Sequence, residues 1–364
     1  MSRTAIESIS TTTRYMPLKA PFVTARGRTD RARSFVIELK TTGGLTAYGA
    51  LTPAEYVTHE SDEDVAKSLA AIAEAVKGAD VSDYEALFAM LAAEFPAAHA
   101  VRAGFEIAVM DAYGQSVGQP LWRVWGGKKP VVRTDLTVPI NTLDEARTIA
   151  RDAAALGIQD LKIKIDGTDP RTALARIKAV SEAAPKATLL VDANQSFTAD
   201  GAIAFLDICR ANSLEMALFE QPVKAADIAG LVKVAAYGEY PVGADEAVVT
   251  PADCRAILDT GGVQIVNIKL MKSGISGALE IIRMCQAADV MLMLGCMIES
   301  HVGIAASVHL ACGTGAFSYL DLDAPLLLAG DIAGGGFTLD VDRFTPGERP
   351  GLGARLLSGQ VAEA

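Results

Sequence analysis

The sequence predicts an α/β protein: a parallel (β/α)7β barrel at residues 129–329, carried behind an N-terminal α+β unit at 1–128 and followed by a segment at 330–364 that packs back on that unit. Three observations predict it. From about residue 130, short apolar runs alternate with helical patterns at a spacing of roughly 20–30 residues. No Gly-x-Gly-x-x-Gly follows those runs, which argues against an open doubly wound sheet. Before that point strands come first and helices after, without alternation.

Taken in order, residues 5–9, 34–39 and 45–49 read as strands, the last two joined by a Thr42-Gly43-Gly44 turn. The polar, arginine-rich stretch 19–33 and the stretch 52–61 read as loops. Residues 62–117 turn helical, with Val65, Leu69, Ile72, Ala73 and Val76 on one face and an Ala-rich segment at 97–113. Gly118-Gln119-Pro120 and Gly126-Gly127 punctuate the end of this unit. The barrel strands are expected at 136–140, 161–165, 189–191, 217–219, 242–244, 265–270, 290–294 and 317–322. Helices are expected between most of them, for example at 144–155, 170–184, 200–211 and 275–288, and no clear helix follows the eighth strand.

Composition bounds the class of function. Of 364 residues, half are hydrophobic and 21% are charged, with 32 Gly and 15 Pro, which is a globular composition. A net charge of −11 argues against nucleic-acid and anionic-membrane partners and leaves small molecules as the expected ligands. A homo-oligomer is expected. The five cysteines are widely spaced, without a Cys-x-x-Cys pair, and read as buried thiols of a reducing compartment. The N-terminus lacks an apolar signal core and the run at 290–294 is too short to span a bilayer, so a cytoplasmic location is expected.

The chemistry sits at the strand ends. In Leu161-Lys162-Ile163-Lys164-Ile165 the lysines are two apart, so both ammonium groups project to one side while the apolar residues pack the other. The next three strands each start apolar and end on a carboxylate, at Asp192, Glu220 and Asp245. Neighbouring strand ends in a barrel lie side by side, so these acids converge and repel unless a divalent cation neutralises them. All-oxygen ligation favours Mg²⁺ over Zn²⁺. Lys269 in Asn267-Ile268-Lys269 flanks the far side, giving the order lysine, acid, acid, acid, lysine. A lysine beside a metal and a second ammonium has its pKa lowered toward neutrality, which suits a base. Lys272 reads as a snorkelling surface residue.

With these pieces in hand, the chain resembles the enolase superfamily in its muconate-lactonizing subgroup. The resemblance rests on Leu161-Lys162-Ile163-Lys164, Val191-Asp192-Ala193-Asn194, Glu220-Gln221-Pro222, Ala244-Asp245-Glu246 and Asn267-Ile268-Lys269 running into Lys272-Ser273-Gly274. It implies a modified TIM barrel whose mouth is closed by two loops of a capping domain, here 19–33 and 52–61. Within the subgroup, Asp321 and Asp323 in Tyr319-Leu320-Asp321-Leu322-Asp323-Ala324-Pro325 look like the pair that receives the substrate ammonium in dipeptide epimerases. The implied reaction is a 1,1-proton transfer: Lys164 or Lys269 removes the α-proton, Mg²⁺ and Lys162 stabilise an enediolate, and the opposite lysine returns a proton. Thr137, Met297, Ile298 and Glu299 would line the pocket.

The epimerases of this group that act on Ala-Glu look to carry a capping-loop arginine, whereas Gly27 falls at that position here. Arg26 or Arg28 is its expected substitute, and Glu55 and Glu60 either select a basic side chain or are solvated. N-acylamino acid racemase, o-succinylbenzoate synthase and muconate cycloisomerase share the lysines and triad, but their substrates lack an ammonium for Asp321 and Asp323. Mandelate racemase or sugar-acid dehydratase chemistry wants a His at the end of strand seven. Gly295-Cys296-Met297 supplies none, and His301 reads as structural. A peptide-binding barrel without turnover is the alternative outside enzymes.

Overall fold

A computed structural model describes residues 2–357. Strands come first: β1 (Ile6–Thr24) and β2 (Gly27–Thr41) form an antiparallel hairpin, and β3 (Thr46–Leu51) pairs with β2. The stretch 19–33, expected as a loop, is the tip of that hairpin, with Phe22 opposite Thr29 and Val23 opposite Arg28. Backbone pairing needs no apolar side chains, so an arginine-rich ribbon lacks the alternation by which strands are recognised. The register breaks between Pro17 and Phe22, where Pro21 has no N–H to give the ladder. The second expected loop contains a one-turn helix, α1 (Glu55–Thr58).

α2 (Asp62–Ala75) starts on a capping box between Ser61 and Asp64 and buries Val65, Leu69 and Ile72. α3 (Tyr84–Glu94) leads to α4 (His99–Ser116), which is buried on nearly every side between β3 and the barrel. Contact with β3 is backbone-close: a Cβ on Gly49 would stand 2.1 Å from the Gly104 carbonyl oxygen. α5 (Leu121–Val124) and β4 (Val132–Arg133) then lead into the barrel.

The barrel strands are β5 (Leu136–Val138), β6 (Asp160–Lys164), β7 (Thr188–Asp192), β8 (Leu218–Glu220), β9 (Val242–Ala244), β10 (Ile265–Lys269), β11 (Met291–Gly295) and β12 (Tyr319–Asp321). They pair in parallel and in chain order. Between them lie α6 (Leu143–Leu156), α7 (Pro170–Ala183), α8 (Ala199–Ala211), α9 (Ile228–Tyr237), α10 (Pro251–Thr260), α11 (Leu270–Ala287) and α12 (His301–Thr314). Closure between β5 and β12 uses few bonds: Asp135 N–H donates to the Leu320 carbonyl at 2.9 Å, and Leu322 N–H to Thr134 Oγ1 at 2.8 Å. After β12 comes only a single turn, α13 (Ala324–Leu327), as expected of a (β/α)7β barrel.

The remaining strands, β13 (Ala333–Gly335), β14 (Phe337–Asp340), β15 (Arg343–Pro346) and β16 (Ala354–Leu356), form two small sheets, one of which includes β4. Leu352 N–H donates to Asp111 on α4 at 2.7 Å, tying this segment to the N-terminal helices. Among the described residues no helix is long and apolar enough to cross a membrane. Four of the five cysteines are buried, and Cys254 and Cys285, distant in sequence, have their sulfurs 3.7 Å apart as free thiols.

Candidate active site

Parallel register decides which strand-end groups meet. Lys164 pairs with Asp192 across β6 and β7, and Asp192 with Glu220 across β7 and β8, so their side chains point into the same layer of the barrel. Carboxylate oxygens of Asp192, Glu220 and Asp245 lie within 4.8 Å of one another. Lys164 Nζ donates to Asp192 at 2.5 Å on one flank, and Lys269 Nζ to Asp245 at 2.7 Å on the other. Lys162, fully buried, reaches across to Asp321 at 2.6 Å, Glu220 at 2.8 Å and Asp192 at 3.3 Å. The structure thus brings together all the lysines and acids expected here.

The backbone is shaped for this layer. Directly after the acids of β7 and β8, Asn194 (φ 40°), Gln195 (φ 66°) and Gln221 (φ 34°) adopt left-handed conformations that few side chains tolerate. The turns are held by side chains: Gln221 Oε1 accepts from the Asp245 and Ala247 N–H groups, and Asp192 Oδ1 from Asn194 N–H. Asn267 Nδ2 donates to Glu220 at 2.6 Å.

Lys272 corrects the sequence reading. It is 1% exposed and donates to Asp245 Oδ1 at 2.7 Å, the Asp245 carbonyl at 2.6 Å and the Asn267 carbonyl at 2.9 Å. The residue follows β10 in the first turn of α11, and Gly274 (φ 67°, ψ −175°) breaks the helix just beyond it. A side chain that looks like a surface lysine is thereby turned under the strand ends. Glu60 is a second correction: it neither meets solvent nor faces the cavity, but is 4% exposed and accepts the Ala100 and Val101 N–H groups at the start of α4. Glu55 is exposed, as one of its two expected states had it.

Electrostatics follow from burial. Desolvation pushes the Glu220 carboxyl up to about 7, with its acidic neighbours adding to the effect and Lys162 opposing it. Desolvation is the largest single influence on Asp192 and Asp245 too, but the surrounding lysines together outweigh it, Lys164 with Lys162 at Asp192 and Lys269 with Lys272 and Lys162 at Asp245, and hold both below the usual carboxylate range. Burial alone would lower Lys164 and Lys269; their partner carboxylates more than offset it and raise both. The lowering expected for a base is therefore not produced by the protein's own groups.

A divalent cation fits the triad on two observations. Its three carboxylates supply oxygen donors alone, the set Mg²⁺ takes. Glu220 Oε2 is also buried without a hydrogen bond, its contact being the ion pair with Lys162 at 2.8 Å.

Over this layer lies a cavity of about 410 Å³ lined by the strand ends, the hairpin tip and the α1 segment. Thr137, Met297, Ile298 and Arg26 all line it, as do Arg28 and Tyr56. On β12, Lys162, Lys164 and Lys269 together overcome the desolvation of Asp321 and hold it below its usual range, whereas burial and Asp321 push Asp323 up to about 6. Asp323 accepts the Thr137 N–H at 2.7 Å. Glu299, expected to line the cavity with Thr137, Met297 and Ile298, does not: it is buried, accepts Met297 N–H at 3.0 Å and is pushed up to about 7 by desolvation. His301 is structural, its ring stacked on Phe337 at 4.0 Å.

Sequence reasoning missed Asp135. It is 1% exposed, neither carboxylate oxygen has a partner, and it clusters with Asp321 and Asp323. Burial and those two acids raise its pKa well above the ordinary value. Its signal is faint: it stands two before Thr137 and so shares the inward face of the first strand.

Fold and site define a capped β/α barrel with carboxylates and lysines gathered at the strand ends. The chain belongs to the mandelate racemase/muconate lactonizing enzyme family of the enolase superfamily. That family's N-terminal domain matches residues 6–126, and the enolase C-terminal domain-like family matches 144–359. Among relatives, the hydrophobic dipeptide epimerase of Citrifermentans bemidjiense is 37% identical over 93% of this chain and 94% of its own. The dipeptide epimerase of Enterococcus faecalis, solved with Mg and L-Leu-L-Tyr, superposes with a TM-score of 0.92 at 31% identity, over 96% of this chain and 99% of its own. A substrate-liganded L-Ala-D/L-Glu epimerase of Bacillus subtilis gives 0.93 at 32% identity, over 99% and 100%.

Proposed function

We propose that this protein epimerises dipeptides, inverting the α-carbon of the C-terminal residue by proton transfer between two lysines. One observation carries the reading. Lys164 and Lys269, which flank the triad, and the acidic pair Asp321 and Asp323 line one cavity, so a molecule with a carboxylate at one end and an ammonium at the other finds a partner for each. The activities named for the relatives support it.

In this reading Asp321 and Asp323 receive the substrate ammonium, with Thr137 N–H fixing Asp323. Lys164 and Lys269 stand on the two flanks of the triad. For one diastereomer the neutral amine of one lysine takes the α-proton, and the ammonium of the other delivers a proton to the opposite face; the second diastereomer reverses the roles. Lys162 stays charged and steadies the negative charge that develops on the substrate carboxylate. A Mg²⁺ ion held by Asp192, Glu220 and Asp245 would supply further positive charge there.

Relatives of nearly equal identity are named for hydrophobic and for Ala-Glu substrates, so the preferred side chain is read from this chain's own cap. Four arginines of the hairpin line the cavity. Arg28 is paired with Asp30, Arg33 with Asp62, and Arg31 lies over the Tyr15 ring. Arg26 has no such partner among the described residues and is assigned an acidic group on the substrate side chain.

The test is incubation with Mg²⁺ and a mixed L,L-dipeptide library in D₂O, following α-deuteration by mass spectrometry. Dipeptides take up deuterium, those with acidic side chains fastest. Labelling of N-succinylamino acids with dipeptides unlabelled overturns the reading.

A further inference from the structure

A second concavity lies away from the active site, between the N-terminal helices and the barrel. It is a crevice of about 690 Å³ bounded by α3, α4, the loop into α10 and the start of α11. Its walls are largely apolar, with Phe88, Met110, Trp125 and Ile275 among them. In this wall stands Arg102, only 9% exposed.

Among the described residues two arginines are buried, and they differ. Arg176 donates to the Pro139 carbonyl and to Asn141. The Arg102 guanidinium has no hydrogen bond and no ion pair among the described residues, and its Nε is buried without a partner. Nearby carboxylates are committed elsewhere. Glu106 accepts the Ser276 N–H at 2.8 Å and hydroxyl at 3.1 Å, where its oxygens lie so close to Gly274 that a Cβ there would be 2.6 Å away. Glu60 accepts the N–H groups of Ala100 and Val101. An unpaired buried cation is costly, and a guanidinium is a planar fork matched to a carboxylate.

We infer that this crevice binds a small amphipathic monocarboxylate, its carboxylate on Arg102 and its apolar body against Phe88, Met110, Trp125 and Ile275. The charge at the rim argues for a monoanion: exposed Arg283 is balanced by exposed Glu85 and Glu280, which oppose a polyanion. The inference is independent of the epimerase reading, because neither Arg102 nor the four apolar residues has a part in the proposed proton transfer. Lys272 forms part of the crevice wall while holding Asp245, so the two sites share one side chain.

The test is isothermal titration of the Mg²⁺-loaded protein with 4-phenylbutyrate. Binding is expected in the wild type and in Lys269→Ala, with Arg102→Met weakening it roughly 10-fold or more and Arg102→Lys giving an intermediate value. Thermal melts of both Arg102 variants establish that they are folded, and Arg283→Gln serves as a rim control with little effect. Dipeptide turnover is unchanged in Arg102→Met. Absence of binding in the wild type, equal binding in Arg102→Met, or loss of binding in Lys269→Ala overturns the proposal. So does a change in sedimentation on replacing Arg102, which would make the crevice a contact between copies of the chain.

Discussion

The strand ends of the barrel and the hairpin above them hold charge by opposite means. At the strand ends Lys162, Lys164, Lys269 and Lys272 are each no more than 7% exposed, and each ammonium is fixed on one or more carboxylates. In the hairpin Arg28 and Arg33 also pair with acids, but Arg28 and Asp30 are more than half exposed, and so is Asp62. Buried pairs that lose a partner leave a charge in low dielectric, so their geometry is held tightly; exposed pairs contribute little and rearrange easily. Under the proposed function the contrast is a division of labour: the proton transfer, which needs fixed distances, falls to the strands, and side-chain recognition, which must vary, to the ribbon.

The sharpest way to break this comparison is at a flank of the triad. Lys269→Ala is expected to lower epimerisation of both diastereomers by about 10²- to 10⁴-fold, measured as kcat with purified dipeptides. Activity within a few-fold of wild type removes Lys269 from the acid/base pair. Next comes the support under the metal ligands. Lys272→Met is expected to weaken Mg²⁺ binding by roughly 10- to 100-fold in a calorimetric titration, because Asp245 loses the cation that orients it.

Recognition in the hairpin is expected to respond less. Arg26→Ala should reduce the preference for L-Ala-L-Glu over L-Ala-L-Leu by about 10-fold while leaving turnover of L-Ala-L-Leu intact. An unchanged ratio assigns the side chain to another part of the cap. The smallest effect is on pH. Burial and Asp321 push Asp323 up to about 6, so its carboxyl is neutral below that pH and charged above it, and only the charged form pairs with an ammonium. KM should therefore rise by a few-fold as pH falls through that value, with kcat little altered. In Asp323→Asn the KM is higher throughout and this step is absent.

The barrel was legible because its signals are local. Apolar runs and helical patterns recur along the chain, and the acids of β7, β8 and β9 mark the strand ends without knowledge of any contact. The hairpin was not, since an arginine-rich ribbon carries no alternation and its pairing is set by backbone bonds. Lys272 and Glu60 were misread for a related reason. A charged side chain near a helix start reads as solvated, and only packing against another element shows that it is enclosed.

By itself the sequence determined the strand order, the lysine-acid-acid-acid-lysine arrangement and the family, because period-two side-chain direction and a repeating β/α rhythm fix which groups share a barrel layer. Tertiary structure alone decided the rest: the turning of Lys272 beneath Asp245, the meeting of Asp135 with Asp321 and Asp323 where β5 closes on β12, and the isolation of Arg102 between helices. Each depends on burial and on partners far away in the chain, and neither is a property of local sequence.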